Sequence, residues 1–405
     1  MLFLIFVDMR RLLFLTAVAA VACGTQAPQE ETMEQLRNRV VDVAKVQTVY
    51  MDSLLSSRAT PQAESRNLCP RTFQGDTLVT SDIGWWCSGF YPGVLWQVYE
   101  ATEDTLFRNL AVKHTLPLAG LLERETDHDI GFQLMSSFGK MALDCHSERS
   151  EGISPETILA RGAETLAGRF IPEAGILRSW NGSRWNIPVI IDNMMNLDLL
   201  MVYGDRTVAE KHALTTAANH FREDGTTWHL VDYADDGSIL GKQTVQGYAD
   251  DSAWARGQAW ALYGYAQMAQ REREAGNEAL GQQFYEVAAK LEGWMLPRLP
   301  EDGVPYWDFS QKDLRDASAG AILACGFLRM WNLRGCPADD PALAMAGRIL
   351  RTLASPEYLA EPRTNGGFLL KHSVGNLPGR SEVDVPLTYA DYYFLEALHL
   401  LPSEH

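Results

Sequence analysis

The feature that most restricts this chain is a strict alternation of two kinds of helix-like segment. One kind, at 34–55, 104–122, 155–170, 207–222, 276–296 and 341–353, is amphipathic. Apolar residues recur there every three or four positions, as at Leu280, Phe284, Val287, Ala288 and Leu291. The other kind, at 90–99, 130–143, 194–203, 254–269, 317–331 and 387–400, is apolar nearly all round and rich in small or aromatic residues. A helix without a polar face has to be buried. Six segments of each kind alternate along the chain, a loose repeat of helical hairpins. Hairpins that each bury one helix and expose the other predict an all-α fold, an (α/α)6 toroid with an inner and an outer ring. An open solenoid keeps its concave face wet and has no need of six wholly apolar helices.

The start of the chain reads as something other than fold. Arg10 and Arg11 precede a short apolar run, 12–22, that ends at Cys23. A basic start, an apolar stretch too short to span a bilayer and small residues before a cut describe a secretory signal. Ala20-Val21-Ala22-Cys23 resembles a bacterial lipobox, with Cys23 as the acylated first residue of the mature protein. The expected organisation is a signal peptide over 1–22, a tether over 23–31 and one catalytic domain over 32–405. The expected location is the bacterial periplasm or cell envelope, as an exported lipoprotein held at the membrane through its lipid alone. The other five cysteines, Cys69, Cys87, Cys145, Cys325 and Cys336, are scattered without a C-x-x-C pair, which predicts no zinc site and chiefly buried free thiols. A Cys69–Cys87 bridge is the one disulfide that an oxidising compartment would suggest. A formal net charge of −17 argues against a nucleic-acid partner, yet leaves room for a locally cationic pocket that takes an anionic sugar.

Long polar loops lead into the inner helices, above all 178–188 and 224–250, and such loops in a compact domain are usually functional. Carboxylates, one Arg, one Gln and several indoles stand where the inner helices begin, the mixture from which sugar sites are built. Asp192 is flanked by Ile190, Ile191, Met194 and Met195. Apolar surroundings raise a carboxyl pKa and keep a proton available near neutral pH. An Asp at a helix start also serves as an N-cap, so both roles stay open for Asp192 and for Asp129. His229 lies in a polar loop. Arg256 and Trp260, four apart, share a helix face, and Trp254 stands near the same helix start. An Arg on an otherwise apolar helix needs an anionic partner, which a uronate carboxylate would supply. No G-x-S-x-G elbow, P-loop or H-E-x-x-H is present, and neither a metal nor a cofactor is expected.

Five stretches then take on a familiar form: Trp86-Cys87-Ser88-Gly89-Phe90-Tyr91-Pro92-Gly93, His128-Asp129-Ile130-Gly131, Ile191-Asp192-Asn193-Met194-Met195-Asn196, Gln246-Gly247-Tyr248, and Asp251-Ser252-Ala253-Trp254-Ala255-Arg256-Gly257-Gln258-Ala259-Trp260. Asp384-Val385-Pro386 and Tyr389-Ala390-Asp391-Tyr392-Tyr393 follow. In this order, each at an inner-helix start, they resemble glycoside hydrolase family 88, the unsaturated glucuronyl hydrolases. The resemblance implies an (α/α)6 barrel and an oligosaccharide substrate with a 4,5-unsaturated uronic acid at its non-reducing end, as a polysaccharide lyase leaves it. It implies hydration of the vinyl ether, with Asp192 as general acid and base and Asp129 as a second essential carboxylate that holds ring hydroxyls. It implies a substrate pocket of Trp86, His229, Gln246, Trp254, Arg256 and Trp260, with the segment 372–381, including Ser381, at the subsite beyond the cleaved bond. Cys87, where Thr is common, and the run Leu377-Pro378-Gly379-Arg380 depart from the family pattern and bear on the aglycone preference. Two further readings are a neighbouring (α/α)6 family acting on unsaturated galacturonyl-rhamnose and a non-catalytic glycan-binding lipoprotein. The first fits the 86–93 segment less well. The second predicts loss of Asp129 or Asp192, and both are present.

Overall fold

A computed structural model describes residues 31–60, 64–124, 126–144, 154–182 and 184–401. Cys23, Cys145 and the segment 1–22 lie outside the described residues. Helical hairpins follow one another along the chain. Outer α1 (Met33–Arg58) leads to inner α2 (Phe90–Thr102), and outer α3 (Thr105–Thr115) to an inner pair, α4 (Ile130–Ser136) and α5 (Phe138–Asp144). Outer α6 (Pro155–Ala167) precedes inner α7 (Leu197–Tyr203), and outer α8 (Arg206–Asn219) precedes inner α9 (Ala255–Glu274). Outer α10 (Glu278–Met295) with inner α11 (Ala317–Leu333), and outer α12 (Pro341–Leu353) with inner α13 (Thr388–Leu400), complete the set.

The inner helices close on themselves. Helix α2 packs on α4, α4 on α7, α7 on α9, α9 on α11, α11 on α13 and α13 back on α2. This closure distinguishes the toroid from an open solenoid, and it follows from the all-round apolar composition: every residue of α11 from Ala317 to Leu328 is buried. Met33–His405 forms one compact unit. Among the described residues no helix is long and apolar enough to cross a membrane.

Side-chain caps are commoner on the outer ring than on the inner, although outer α10 starts without one. On the outer ring, the side chains of Asp104, Asp205 and Asp340 accept from the backbone N–H of Leu106, Thr207 and Ala342 at 2.9, 2.9 and 2.7 Å. Ser154 caps α6 in the same way ahead of Pro155. These are ordinary N-caps, worth about 1 kcal/mol each. On the inner ring, α2, α4, α7, α9 and α13 start without a side-chain cap, while α11 has one from Asp316.

Two departures from the sequence expectation have local causes. The segment 130–143 is not one helix. The hydroxyls of Ser136 and Ser137 donate to the carbonyls of Phe132 and Gln133 at 2.6 and 2.5 Å, and the chain breaks between α4 and α5. The connecting loops are also not irregular throughout. They hold hairpins β1–β2 (Cys69–Gln74, Thr77–Ser81) and β3–β4 (Phe170–Ile171, Ile176–Leu177), a three-stranded antiparallel sheet β5–β6–β7 (Ile187–Ile190, Leu230–Tyr233, Ile239–Gln243), and hairpin β8–β9 (Ser373–Asn376, Ser381–Val385). Cys69, Cys87 and Cys325 are buried free thiols, so the Cys69–Cys87 bridge does not form; Cys336 is free and exposed.

Candidate active site

The sheet β5–β6–β7 brings together residues that are distant in sequence. Ile190 pairs with Leu230, and the Ile191 N–H donates to the His229 carbonyl at 2.9 Å. This register sets His229, just before β6, beside Asp192, in the short 3-10 turn that carries β5 into α7. Asp192 Oδ2 lies 3.7 Å from His229 Nε2. Asp129 reaches the same place from α4. Gly131 makes that approach possible, because a Cβ there would lie 2.6 Å from Asn196, and Asn196 Oδ1 accepts from the Phe132 N–H at 2.7 Å.

Neither Asp192 nor Asp129 caps a helix. Asp192 lies inside the turn rather than at its start, and Asp129 occupies the N-cap position of α4 without a capping bond. The Asp192 side chain is 13 % exposed, and its Oδ2 is buried without a hydrogen-bond partner. Burial pushes its carboxyl up to about 7, against a smaller opposing effect of Arg256. The Asp129 carboxyl is also held well above the usual range, by burial first and then by the charges of Asp127 and Asp192. Neighbouring carboxylates of this kind cannot all ionise together.

His229 is fixed as a donor toward Asp192. Its Nδ1 accepts from the backbone N–H groups of Val245 and Gln246 at 3.0 and 3.3 Å, which leaves the ring proton on Nε2. Burial, then the nearby Arg256 charge, lowers its pKa to about 3, so the ring is neutral. Trp254 packs on it with ring centroids 4.5 Å apart. The site thus holds an acid that can release and recover a proton near neutral pH, faced by a neutral imidazole N–H.

Beside this group lies a cavity of about 240 Å³. Of the residues singled out from the sequence, Trp86, His229, Gln246, Arg256 and Ser381 line it. Trp86 packs edge-on against Phe90 and Phe132 and at a tilt against Tyr389. Gln246 Nε2 donates to the Gly375 carbonyl at 3.1 Å, tying its loop to β8.

Three expectations are corrected. Trp260 does not line the cavity: it is fully buried between Phe132 and Tyr393, at centroid distances of 5.1 and 5.2 Å. One turn along α9 from Arg256 leads into the centre of the ring rather than to its mouth. Trp254 is 3 % exposed and backs His229 and Arg256 instead of facing open space. Arg256 already has its anionic partner. It pairs with Asp316 at 3.3 Å and donates to the carbonyls of Val374 and Gly375, while still reaching the cavity wall.

The structure adds residues that the sequence did not single out. Arg71, Trp85, Trp180 and Glu382 also line the cavity, together with Tyr389 of the 389–393 stretch already noted. Arg71 pairs with Glu382 at 2.8 Å and lies over the Trp85 ring at 3.8 Å. Asp127 acts on Asp129, and Asp316 anchors Arg256. Asp127 and Asp316 are ordinary polar residues in sequence, and only their through-space partners give them away. Among the described residues, no group of His, Cys, Asp and Glu could hold a metal ion.

No family model matches the chain. It is 36 % identical over 330 residues to an unsaturated glucuronyl hydrolase of Formosa agariphila, covering 77 % of this chain and 79 % of that one. It is 34 % identical over 346 residues to an unsaturated glucuronyl hydrolase of Bacillus sp. strain GL1, covering 79 % and 87 %. The crystal structure of an unsaturated glucuronyl hydrolase specific for heparin superposes with a TM-score of 0.79 at 35 % identity, covering 90 % of this chain and 96 % of that one. The chain therefore belongs to the unsaturated glucuronyl hydrolases, a family of glycoside hydrolases with the (α/α)6 fold.

Proposed function

We propose that this enzyme removes a 4,5-unsaturated uronic acid from the non-reducing end of lyase-generated oligosaccharides, and that Asp192 is its general acid and base. The observation that carries the reading is Asp192 itself: a buried carboxyl pushed up to about 7, with no capping role and a free oxygen. A protonated Asp192 gives its proton to C4 of the vinyl ether. The positive charge that develops is shared between C5 and the ring oxygen. The resulting carboxylate then takes a proton from water as the water oxygen bonds to C5. The product is a hemiketal, which opens the ring and releases the remaining sugar. One group serves both transfers, which requires a pKa near the working pH. His229 Nε2–H faces the carboxylate and stabilises it between the two transfers. Asp129 holds ring hydroxyls, Trp86 supplies the stacking wall, and Gln246, Arg256 and Ser381 line the space for the sugar and its neighbour.

The double bond absorbs in the ultraviolet and is consumed, so turnover is followed as loss of that absorbance. Unsaturated disaccharides should be turned over, while a saturated glucuronide of the same linkage should be inert. Comparable turnover of both would point to an ordinary acid–base glycosidase instead. We also infer that 1–22 is a signal peptide and that Cys23 carries a lipid in the cell envelope, from the lipobox-like run at Ala20-Val21-Ala22-Cys23. Fractionation checks this: wild type should partition with membranes, and Cys23→Ser should be soluble or unprocessed.

A further inference from the structure

We propose that Glu382 is a specificity-determining residue: its carboxylate cancels the charge of Arg71 at the mouth of the active cavity, and so selects an uncharged leaving sugar over a sulfated one. This rests on the function proposed above. Glu382 is the one acidic residue among those lining the cavity, against two arginines. The two arginines are neutralised in different ways. Arg256 pairs with Asp316, which is fully buried and stands outside the lining. Arg71 pairs with Glu382 inside the cavity. Their side chains are 20 % and 13 % exposed, so a bound sugar can reach both.

Exposure gives the cavity a direction. His229, beside Asp192, is buried, whereas Trp85 is the most exposed apolar residue of the lining. An enzyme that removes a terminal sugar holds that sugar at the closed end, and the rest of the substrate leaves by the mouth. The Arg71 guanidinium lies over the Trp85 ring, so this pair marks the side on which the leaving sugar sits. Arg71 stands on β1 and Glu382 on β9. Arg71 Nε and Nη2 both donate to Glu382 Oε1, at 3.0 and 2.8 Å, and among the described residues no hydrogen bond reaches Oε2. Gly375 leaves room for that oxygen, because a Cβ there would lie 2.7 Å from it. Glu382 takes φ 57°, a left-handed conformation rare for a residue with a side chain and concentrated at sites where it positions a group. The mouth thus offers an indole and a carboxylate oxygen that accepts from hydroxyl or amide hydrogens. A sulfate ester there would meet a like charge in a half-buried, poorly screened place. Selection rests on such repulsion as much as on attraction.

The two partners predict changes of opposite sign. Loss of ultraviolet absorbance gives kcat/KM for an unsaturated disaccharide and for its counterpart with a sulfate ester on the leaving sugar. Wild type should favour the unsulfated sugar by about tenfold. Glu382→Gln leaves Arg71 unpaired and should move the ratio about tenfold or more toward the sulfated sugar. Arg71→Gln leaves Glu382 unopposed and should move it the other way. Added salt should shrink both shifts. An ion pair that only fastens two hairpins together predicts equal losses on both substrates. An unmoved ratio in the variants, or a wild type that favours the sulfated sugar, therefore overturns the assignment. If one variant does not fold, the sign of the shift in the other decides. Wild type that turns over neither disaccharide would overturn the proposed function, and the assignment with it; an unmoved ratio with turnover intact counts against Glu382 alone.

Discussion

Aspartates begin helices on both rings of this toroid, and the two sets are used in opposite ways. Asp104 and Asp205 give a side-chain oxygen to an orphan N–H, as a carboxylate near water readily does, and Asp340 does the same while paired with Arg334. Asp129 and Asp192 stand at inner-helix starts, make no capping bond and are pushed up in pKa by burial. Burial alone does not make a catalytic acid, however. Asp391 on α13 is also buried and held up at about 8, but its two oxygens accept from the Leu369 and Leu370 N–H groups at 2.8 Å. Asp192 keeps a free oxygen facing a fixed imidazole that itself lines the cavity. The comparison teaches that a carboxylate is available for chemistry when the fold buries it and withholds a partner.

The sharpest way to break this comparison is Asp192→Asn. Asn caps as well as Asp, so a purely structural Asp192 predicts a nearly silent change. The catalytic reading predicts a loss of turnover of at least ~10²–10⁴ in a well-folded protein. Asp129→Asn should come next, with a severe drop in kcat and a raised KM, because this group is assigned to the ring hydroxyls. A KM that does not move would leave Asp129 with an electrostatic role alone.

The pH dependence sharpens the same contrast. Activity that requires protonated Asp192 should fall as pH rises through about 7. Stability carries the same signature. A carboxyl raised in the folded state binds its proton more tightly there, so its contribution is fully present below the unfolded value of about 3.9 and is lost as pH rises through about 7. Wild type should therefore lose stability across that window relative to Asp192→Asn. A constant difference in Tm between the two proteins from pH 4 to pH 8 would contradict the raised pKa.

The smallest expected effect lies on the outer ring. Asp205→Ala should cost about 1 kcal/mol of stability with kcat unchanged, and Asp205→Asn should cost almost nothing. Chemical denaturation alongside the absorbance assay separates the two sets: outer-ring caps move stability, Asp129 and Asp192 move rate.

Much of this molecule was legible in the sequence. The alternation of amphipathic and wholly apolar segments determined the toroid, because burial is proportional to apolar surface and a helix with no wet face must lie inside others. The apolar neighbours of Asp192 likewise travel with it along the chain, so its raised pKa was readable locally. What the tertiary structure alone decided is which distant residues meet. Arg256 looked like a cation waiting for a uronate, yet Asp316 on the next inner helix is already paired with it. Trp260 looked like a partner of Arg256 on one helix face, yet one turn of helix carries it into the core. The neutral state of His229 depends on its burial and on Arg256, its tautomer on N–H groups from Val245 and Gln246, and its place beside Asp192 on the register of β5 against β6. Hydrophobic periodicity is written into neighbouring residues, whereas ion pairing and hydrogen bonding depend on positions in space that no local pattern encodes.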